Sequence, residues 1–217
     1  MIFGSISYIN LLPFSIFLKK ALQRTQEKQI IQYHQGVPSK INRLFKQRSI
    51  DAAFISSIES RHCSCTDLGI VADGAVYSVL VIKSEQMFDS DSASSNKLSQ
   101  VLGLEGKVLI GDKALKYYLD GNKAVDLSLE WKKQTKLPFV FARLCYSGHK
   151  RRVEQLAKKF SRKRVKIPRY YLEKEAKQKG ISSKDILWYL QHIDYKIGYK
   201  QNRALKLFLK KAKATKQ

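Results

Sequence analysis

The chain has 217 residues, of which 44% are hydrophobic, and its formal net charge is +23. This composition excludes a disordered protein, because disordered chains have too few apolar residues to bury, and the length suits one domain or two small lobes. No apolar run approaches the roughly 18 residues that a membrane-spanning helix needs, so no membrane partner is expected.

Apolar residues alternate along the chain between strand-like and helix-like spacing. The predicted strands lie near Met1–Ser7, Gln29–Tyr33, Ile50–Ile55, Leu68–Ala72, Val76–Ile82, Lys107–Ile110 and Pro138–Ala142. The predicted helices lie near Pro13–Thr25, from Pro38 to Gln47, after Ser95, and over most of the chain beyond Tyr146. Strands and helices that alternate in this way predict βαβ units in an α/β fold with a largely parallel sheet.

Small polar residues follow or interrupt several predicted strands. Asn10 comes after the first strand, Ser56 and Ser57 end the third, and Ser78 lies in the segment Gly74–Leu80. In an open α/β sheet, ligands bind at the carboxyl ends of the strands. Hydroxyl and carboxamide groups beside helix N-termini favour a small anionic ligand. The pattern therefore predicts a ligand-binding cleft.

A serine-rich stretch from Asp89 to Ser95 precedes the helical spacing of Leu98, Val101 and Leu102. Its composition is typical of a linker. It also suits a turn that opens a helix, where free N–H groups and hydroxyls form a cradle for an anion. The stretch is therefore either a linker or an anion-binding turn at the start of a helix.

The chain contains three cysteines. An odd number gives no disulfide framework, so we expect a reducing, cytoplasmic location. The apolar N-terminal stretch has no preceding charge and is interrupted by Asn10 and Pro13, which is wrong for an export signal. His62-Cys63-Ser64-Cys65 suggests a zinc site, but a second ligand pair at the usual spacing is missing, and Cys145 with His149 would have to come from far away in the sequence.

The positive charge is concentrated near the C-terminus, where 23 of the 41 Lys and Arg residues, against five acidic ones, lie between Arg143 and Gln217. Such a surface can bind nucleic acid or an anionic membrane, or it can be the solvated side of several helices. Two groups of apolar residues recur at helical spacing, which places the lysines on the opposite faces. They are Val153, Leu156, Ala157 and Phe160, and then Ile186, Leu187, Leu190 and Ile193. We therefore expect no specific nucleic acid partner and a surface that attracts anionic substrates.

Several segments, taken in order, resemble the chorismate dehydratase family of the futalosine route to menaquinone. The matching segments are Gly4–Asn10 with Leu12-Pro13-Phe14, Gly36–Ser39, Ile50–Ser60, Ser78–Leu80, Leu109–Leu115, Asp126-Leu127, Trp131, Pro138–Ala142, Tyr189-Leu190 and Ile193–Tyr195. No single segment is specific, but the ordered set covers nearly the whole chain.

The resemblance implies a two-lobed α/β fold like that of a type 2 periplasmic binding protein, with a reduced second lobe and a helical C-terminal region. Lobe 1 would contain residues 1–83 and 137–217, and lobe 2 would contain residues 84–136. Family members carry a Ser-Arg-Thr-Ser turn before a helix of lobe 2, and this chain has Ser92-Ala93-Ser94-Ser95 at that place.

The reaction that the resemblance implies is the loss of water from chorismate to give 3-[(1-carboxyvinyl)oxy]benzoate. A proton leaves the ring carbon that bears the enolpyruvyl ether and the neighbouring hydroxyl departs, so the ring becomes aromatic. This chemistry requires no metal or redox cofactor, and the sequence has neither a phosphate loop nor a dinucleotide fingerprint. No residue stands out as the general base, and the enolpyruvyl carboxylate of the substrate is a candidate.

The resemblance also nominates site residues. Asn10 would lie near the proton that is lost and Ser78 near a carboxylate of the substrate, as the two catalytic candidates. The candidate substrate-binding residues are Ser39, Ser56, Ser57, Ser94, Ser95 and Asp112. A Ser or Asn at a strand end is otherwise simply a turn former. Asp112 would either orient the leaving hydroxyl or cap the helix that follows it.

Two other functions are compatible with the implied fold. One is a non-catalytic protein that binds a small anion, because this fold is shared with solute receptors. The other is the sister menaquinone enzyme, 1,4-dihydroxy-6-naphthoate synthase, which relies on a histidine of the second lobe. Residues 84–136 contain no histidine, which favours the dehydratase.

Overall fold

A computed structural model describes residues 1–23, 32–162 and 165–215. The strands are β1 (Ile2–Ile6), β2 (Gln32–Gly36), β3 (Ala52–Ser56), β4 (Ser64–Ala72), β5 (Val79–Ile82), β6 (Lys107–Ile110), β7 (Val125–Asp126), β8 (Phe139–Tyr146) and β9 (Asp194–Lys196). The helices are α1 (Leu12–Gln23), α2 (Pro38–Lys46), α3 (Ala93–Leu102), α4 (Gly111–Leu119), α5 (Leu127–Thr135), α6 (Lys150–Ser161), α7 (Arg169–Lys179), α8 (Ser183–Leu190) and α9 (Tyr199–Ala214). Short 3₁₀ helices cover Ile9–Leu11 and Glu59–His62.

The larger sheet has the strand order β2-β1-β3-β8-β4-β9. Only the pairings of β1 with β2 and with β3 are parallel, while β3–β8, β8–β4 and β4–β9 are antiparallel. The prediction of a largely parallel sheet is therefore wrong. It failed because the alternation of strands and α-helices stops after β3: in the described chain no α-helix separates β3 from β4 or β4 from β5, and β8 lies between β3 and β4 in the antiparallel direction.

The smaller sheet has the order β6-β5-β7 and is antiparallel throughout. The division inferred from the resemblance assigns residues 1–83, and with them β5, to lobe 1. In the structure β5 pairs with β6 and β7, so the smaller sheet already begins at Val79. The chain crosses to this sheet after β4 and returns through β8.

Aromatic packing holds α1 against the larger sheet. The ring of Phe14 in α1 lies 5.8 Å from Phe3 in β1, 5.0 Å from Phe54 in β3 and 5.2 Å from Phe160 in α6, measured between ring centroids. All four side chains are buried, and aromatic contacts of this kind add to the energy of apolar burial. The carboxyl ends of β1 and β3 are thereby fixed side by side.

The helical spacing that the sequence predicted is confirmed in α6, where Val153, Leu156, Ala157 and Phe160 are all buried. The predicted buried face of the later helix is wrong at Leu187, whose side chain is 46% exposed. The second predicted strand, near Gln29–Tyr33, falls partly outside the described residues; the strand there is β2, at Gln32–Gly36. Within the described part of the chain, no helix is both long and apolar enough to cross a membrane.

The expectation of no disulfide is also corrected. Cys65 of β4 and Cys145 of β8 face each other across the sheet and are bonded, while Cys63 remains a free thiol. Spacing along the sequence could not reveal this pair, because its members lie 80 residues apart and meet only through the β4–β8 register. In the described residues, no group of three or more His, Cys, Asp or Glu side chains is placed to hold a metal ion.

Candidate active site

A cavity lies between the two sheets, where the carboxyl ends of β1 and β3 face the start of β5 and of α4. Phe54, Ile70, Val76 and Phe141 contribute apolar walls. The polar side chains that line it are those of Tyr8, Asn10, Ser56, Ser78, Ser92 and Ser95. Apolar walls with a few convergent polar groups are typical of a site for a small molecule.

Three helix N-termini converge on this cavity. Pro38 is the first residue of α2, Ser92 is the N-cap of α3, and Gly111 is the first residue of α4, and all three line the cavity. The N-terminus of a helix carries a partial positive charge and unpaired N–H groups. The cavity therefore favours an anion without needing a Lys or Arg side chain in its wall.

The serine-rich turn opens α3, as one of the two sequence interpretations predicted. The hydroxyl of Ser92 accepts the N–H of Ser95 at 3.2 Å and donates to the Ser95 hydroxyl at 2.7 Å. This cap leaves the Ser95 hydroxyl beside the cavity with its own proton available to donate.

Ser78 lies on the loop that leads into β5, not at the end of a strand as the sequence suggested. Its carbonyl oxygen accepts the N–H of Gly111 at 2.8 Å, and its hydroxyl forms a 2.8 Å hydrogen bond with the hydroxyl of Tyr189. The residues before it are fixed as well, because the N–H groups of Val76 and Tyr77 both donate to the carboxylate of Asp126. The Ser78 side chain is thus held at the cavity wall.

Asn10 lies on the 3₁₀ turn after β1. Its main-chain oxygen accepts a hydrogen bond of 2.6 Å from the hydroxyl of Tyr195. Its side-chain oxygen Oδ1 is buried and accepts no hydrogen bond from any residue that the structure describes. A buried carbonyl oxygen without a donor is costly, so this atom is suited to a donor that a ligand brings.

Tyr8 packs against the start of α4. A Cβ atom at position 111 would lie 2.8 Å from Cζ of Tyr8, and Gly111 has a φ of 68°, so glycine is needed there for two reasons. Burial, together with the charges of Asp91, Asp89 and Asp112, holds the pKa of the Tyr8 phenol well above its usual value. At neutral pH, Tyr8 is therefore a hydrogen-bond donor at the cavity.

Comparison with known proteins places the chain in a family. A family model described as menaquinone biosynthesis matches residues 1–102 and 91–214. The chain belongs to this menaquinone biosynthesis family. A chorismate dehydratase from Campylobacter jejuni subsp. jejuni serotype O:23/36 (strain 81-176) is 48% identical, over 99% of this chain and 98% of that protein. The resemblance predicted from the ordered segments is confirmed.

Solved structures confirm the two-lobed α/β fold of periplasmic binding proteins. Protein AF1704 from Archaeoglobus fulgidus matches with a TM-score of 0.71 and 14% identity, over 98% of this chain and 96% of that one. The periplasmic aliphatic sulphonate binding protein SsuA from Escherichia coli matches with a TM-score of 0.53 and 16% identity, over 100% of this chain and 94% of that one. The alkanesulfonate-binding protein SsuA from Xanthomonas axonopodis pv. citri, bound to MOPS, matches with a TM-score of 0.55 and 13% identity, over 100% of this chain and 94% of that one.

Four of the residues that the family resemblance nominated meet at the cavity, namely Asn10, Ser56, Ser78 and Ser95. Ser56 also forms two hydrogen bonds with Asn42 of α2. The Asn42 side-chain amide donates to the Ser56 hydroxyl at 2.8 Å, and its carbonyl oxygen accepts the Ser56 N–H at 3.1 Å. The cavity wall also includes Val79 of β5 and Ile110 of β6, so the site combines residues from both sheets.

Three nominated serines do not line the cavity. The Ser57 hydroxyl is fully buried and donates to the carbonyl oxygen of Val140. The Ser94 hydroxyl accepts the N–H of Ile58 at 3.1 Å and so joins α3 to the larger sheet. At the start of α2, Pro38 faces the cavity instead of Ser39.

Asp112 has neither of the two positions that the sequence suggested. It does not cap α4 and does not line the cavity. Its Oδ1 accepts the N–H of Ile9 at 3.0 Å, and its Oδ2 lies 2.8 Å from Nζ of Lys179. Lys179 also donates to the main-chain oxygen of Ser7 at 2.9 Å. Asp112 therefore fastens α4 to the segment that carries Asn10.

Sequence reasoning missed two residues of the site, Tyr8 and Tyr189. Tyr8 belongs to the Gly4–Asn10 segment, so its place two residues before Asn10 was an available signal. Tyr189 belongs to the Tyr189-Leu190 segment of the resemblance, and its 1% exposure is typical of a core residue. Its contact with Ser78, 111 residues earlier in the chain, has no local signature.

Proposed function

We propose that this protein is a chorismate dehydratase, an enzyme that converts chorismate to 3-[(1-carboxyvinyl)oxy]benzoate and water in menaquinone biosynthesis. The observation that carries the proposal is one cavity that is lined by hydroxyl donors, by the starts of three helices and by Asn10, whose Oδ1 accepts no hydrogen bond from the described residues. Chorismate has two carboxylates and a ring hydroxyl, which are the groups such a cavity can bind. The 48% identity to a chorismate dehydratase over almost the whole chain supports the same substrate.

The proposed reaction breaks one C–H bond and one C–O bond. The pair of electrons from the C–H bond at the ether-bearing carbon becomes part of the ring, and the hydroxyl on the neighbouring carbon leaves with a proton as water. Because that C–H bond is conjugated with the ring carboxylate, negative charge develops on the carboxylate as the proton departs. Donors already aimed at this carboxylate lower the barrier.

The side chains suit distinct tasks in this reaction. Ser78, with the N-termini of α3 and α4, would bind the carboxylate on which charge develops. Asn10 would accept a hydrogen bond from the substrate through Oδ1. Among the described residues that line the cavity, none has a carboxylate, imidazole or amine, and Tyr8 stays protonated. This supports the enolpyruvyl carboxylate of the substrate as the base that takes the proton.

The direct test is to incubate the purified protein with chorismate and to follow the product by mass spectrometry. We expect turnover without added metal or nucleotide, and equal turnover in EDTA. Activity that EDTA abolishes and a divalent ion restores would contradict the cofactor prediction. Tight chorismate binding without any product would instead favour a non-catalytic anion-binding protein, as in the sulphonate-binding proteins of this fold.

The net charge of +23 leads to a prediction about ionic strength. Raising the salt concentration should lower kcat/KM severalfold and leave kcat nearly unchanged, because salt screens the attraction that draws the dianionic substrate to the protein but has little effect on the chemical step in the cavity. Steady-state kinetics at several salt concentrations measures both constants.

Binding to duplex and single-stranded DNA provides the comparison for this prediction. We expect weak binding that disappears near about 0.15 M salt, because the basic residues are spread over several helices. Sub-micromolar DNA binding at that salt concentration, unaffected by chorismate, would show that the basic surface binds nucleic acid and does not attract the substrate.

A further inference from the structure

The hydroxyl of Tyr189 lies behind the cavity and forms a hydrogen bond with one of the polar residues in its wall. Tyr189 is on α8, and its side chain is only 1% exposed. Its hydroxyl oxygen lies 2.8 Å from Oγ of Ser78. Ser78 lines the cavity, whereas Tyr189 does not.

A bound carboxylate would give this hydrogen bond a direction. Each of the two hydroxyls has one proton, and either can donate to the other. A carboxylate can only accept, so binding one in the cavity selects the arrangement in which Tyr189 donates to Oγ of Ser78 and the Ser78 hydroxyl donates to the carboxylate.

We propose that Tyr189 is a positioning residue that holds Oγ of Ser78 at the cavity wall and makes the Ser78 hydroxyl a donor to a bound carboxylate. The inference rests on the proposed dehydratase function for the identity of the substrate that carries this carboxylate. Tyr189 itself does not line the cavity. It acts through Ser78.

The surroundings of Tyr189 keep its proton in place. Burial, with the charges of Asp112 and Asp126, holds the pKa of the phenol well above its usual value, although the hydrogen bonds to Ser78 and Asn10 oppose this. Tyr189 is therefore a donor throughout the physiological pH range. A second buried tyrosine, Tyr195, fixes the main chain of Asn10 from the other side through its 2.6 Å hydrogen bond.

The test is the variant Tyr189→Phe, which removes one oxygen atom and keeps the ring. We expect kcat on chorismate to fall roughly tenfold to a hundredfold, since the Ser78 hydroxyl loses its partner, with a smaller change in KM. Tyr146→Phe is the matched control: its hydroxyl donates to Glu154 on the protein surface, away from the cavity. That control should keep kcat within about twofold of the wild type, as expected for surface changes.

A double-mutant cycle separates positioning from a general structural role. If Tyr189 acts through Ser78, adding Tyr189→Phe to Ser78→Ala should lower kcat by less than about threefold, because the partner is already gone. Losses that simply multiply, or a Tyr189→Phe variant with wild-type kcat, would overturn the inference.

Crystal structures of the wild type and of Tyr189→Phe without substrate provide a readout that does not depend on chorismate turnover. We expect the Ser78 side chain to change its orientation in the variant. Identical orientations in both structures would overturn the inference. A wild type that leaves chorismate unchanged would disprove the proposed function alone, and these structures would then decide the role of Tyr189.

Discussion

Replacing Ser78 by alanine should lower kcat on chorismate by about 10²–10³, the usual cost of removing one preorganised donor around a developing negative charge. We expect a loss of the same order for Asn10→Ala, which removes the proposed acceptor for a hydrogen of the substrate. Ser78 offers a hydroxyl to the cavity, and Asn10 offers an unpaired carbonyl oxygen, so each variant removes a group that faces the substrate. Neither substitution empties a large volume of the core. We therefore expect the melting temperature to fall by only a few degrees.

The matched control is Ser99→Ala in α3. Ser99 is as buried as Ser78, and its hydroxyl donates to the main-chain oxygen of Leu104 at 2.6 Å, outside the cavity. This variant should lose stability but keep kcat. If Ser78→Ala and Asn10→Ala turn over chorismate at the wild-type rate, the cavity is not the active site. If both fail to fold, as circular dichroism would show, the two residues are structural turns.

The second large effect is expected for Asp112→Asn. The change removes the negative charge that lies 2.8 Å from Lys179, and both side chains are largely buried, at 13% and 19% exposure. Breaking a fully buried ion pair costs roughly 3–5 kcal/mol, and with this partial exposure we expect a loss of about 2 kcal/mol in the free energy of unfolding. Because the pair fastens α4 to the segment of Asn10, KM for chorismate should rise as well.

Asp120→Asn on the same helix is the control for this prediction. Asp120 pairs with Lys116 at 3.1 Å, but both side chains are about half exposed, and such pairs contribute roughly 0–1 kcal/mol. Urea unfolding and steady-state kinetics on both variants provide the comparison. Equal stability and equal KM for Asp112→Asn and Asp120→Asn would mean that the buried pair does not hold the two sides of the cavity together.

Much of the fold could be predicted from local patterns. The buried stripe of α6 and the serine-rich turn that opens α3 both appear in the structure, because each depends on residues three or four positions apart. The direction of strands could not be predicted in this way. β3 and β8 are both largely buried, and an apolar strand looks the same in sequence whether its neighbour runs parallel or antiparallel.

The candidate site shows the same difference between features that local segments predict and features that depend on distant contacts. Asn10 and Ser78 were found because the segments around them carry a recognisable order of residues. The role of Asp112 was missed, because its partners are Ile9 and Lys179, more than 60 residues away in either direction. Contacts between distant residues depend on how the two sheets meet, and no short pattern records that arrangement.

The position of β8 has a consequence for how the chain is assembled. β8 lies between β3 and β4, which precede it in the sequence and are not paired with each other. During synthesis from the N-terminus, β3 and β4 each keep an open edge until residues 139–146 leave the ribosome, by which time the whole smaller sheet has been made. Unpaired edges favour aggregation, and pairings between distant residues form slowly. The nascent chain is therefore most vulnerable before β8 inserts between β3 and β4, and β9, which is made later, then pairs with the other edge of β4.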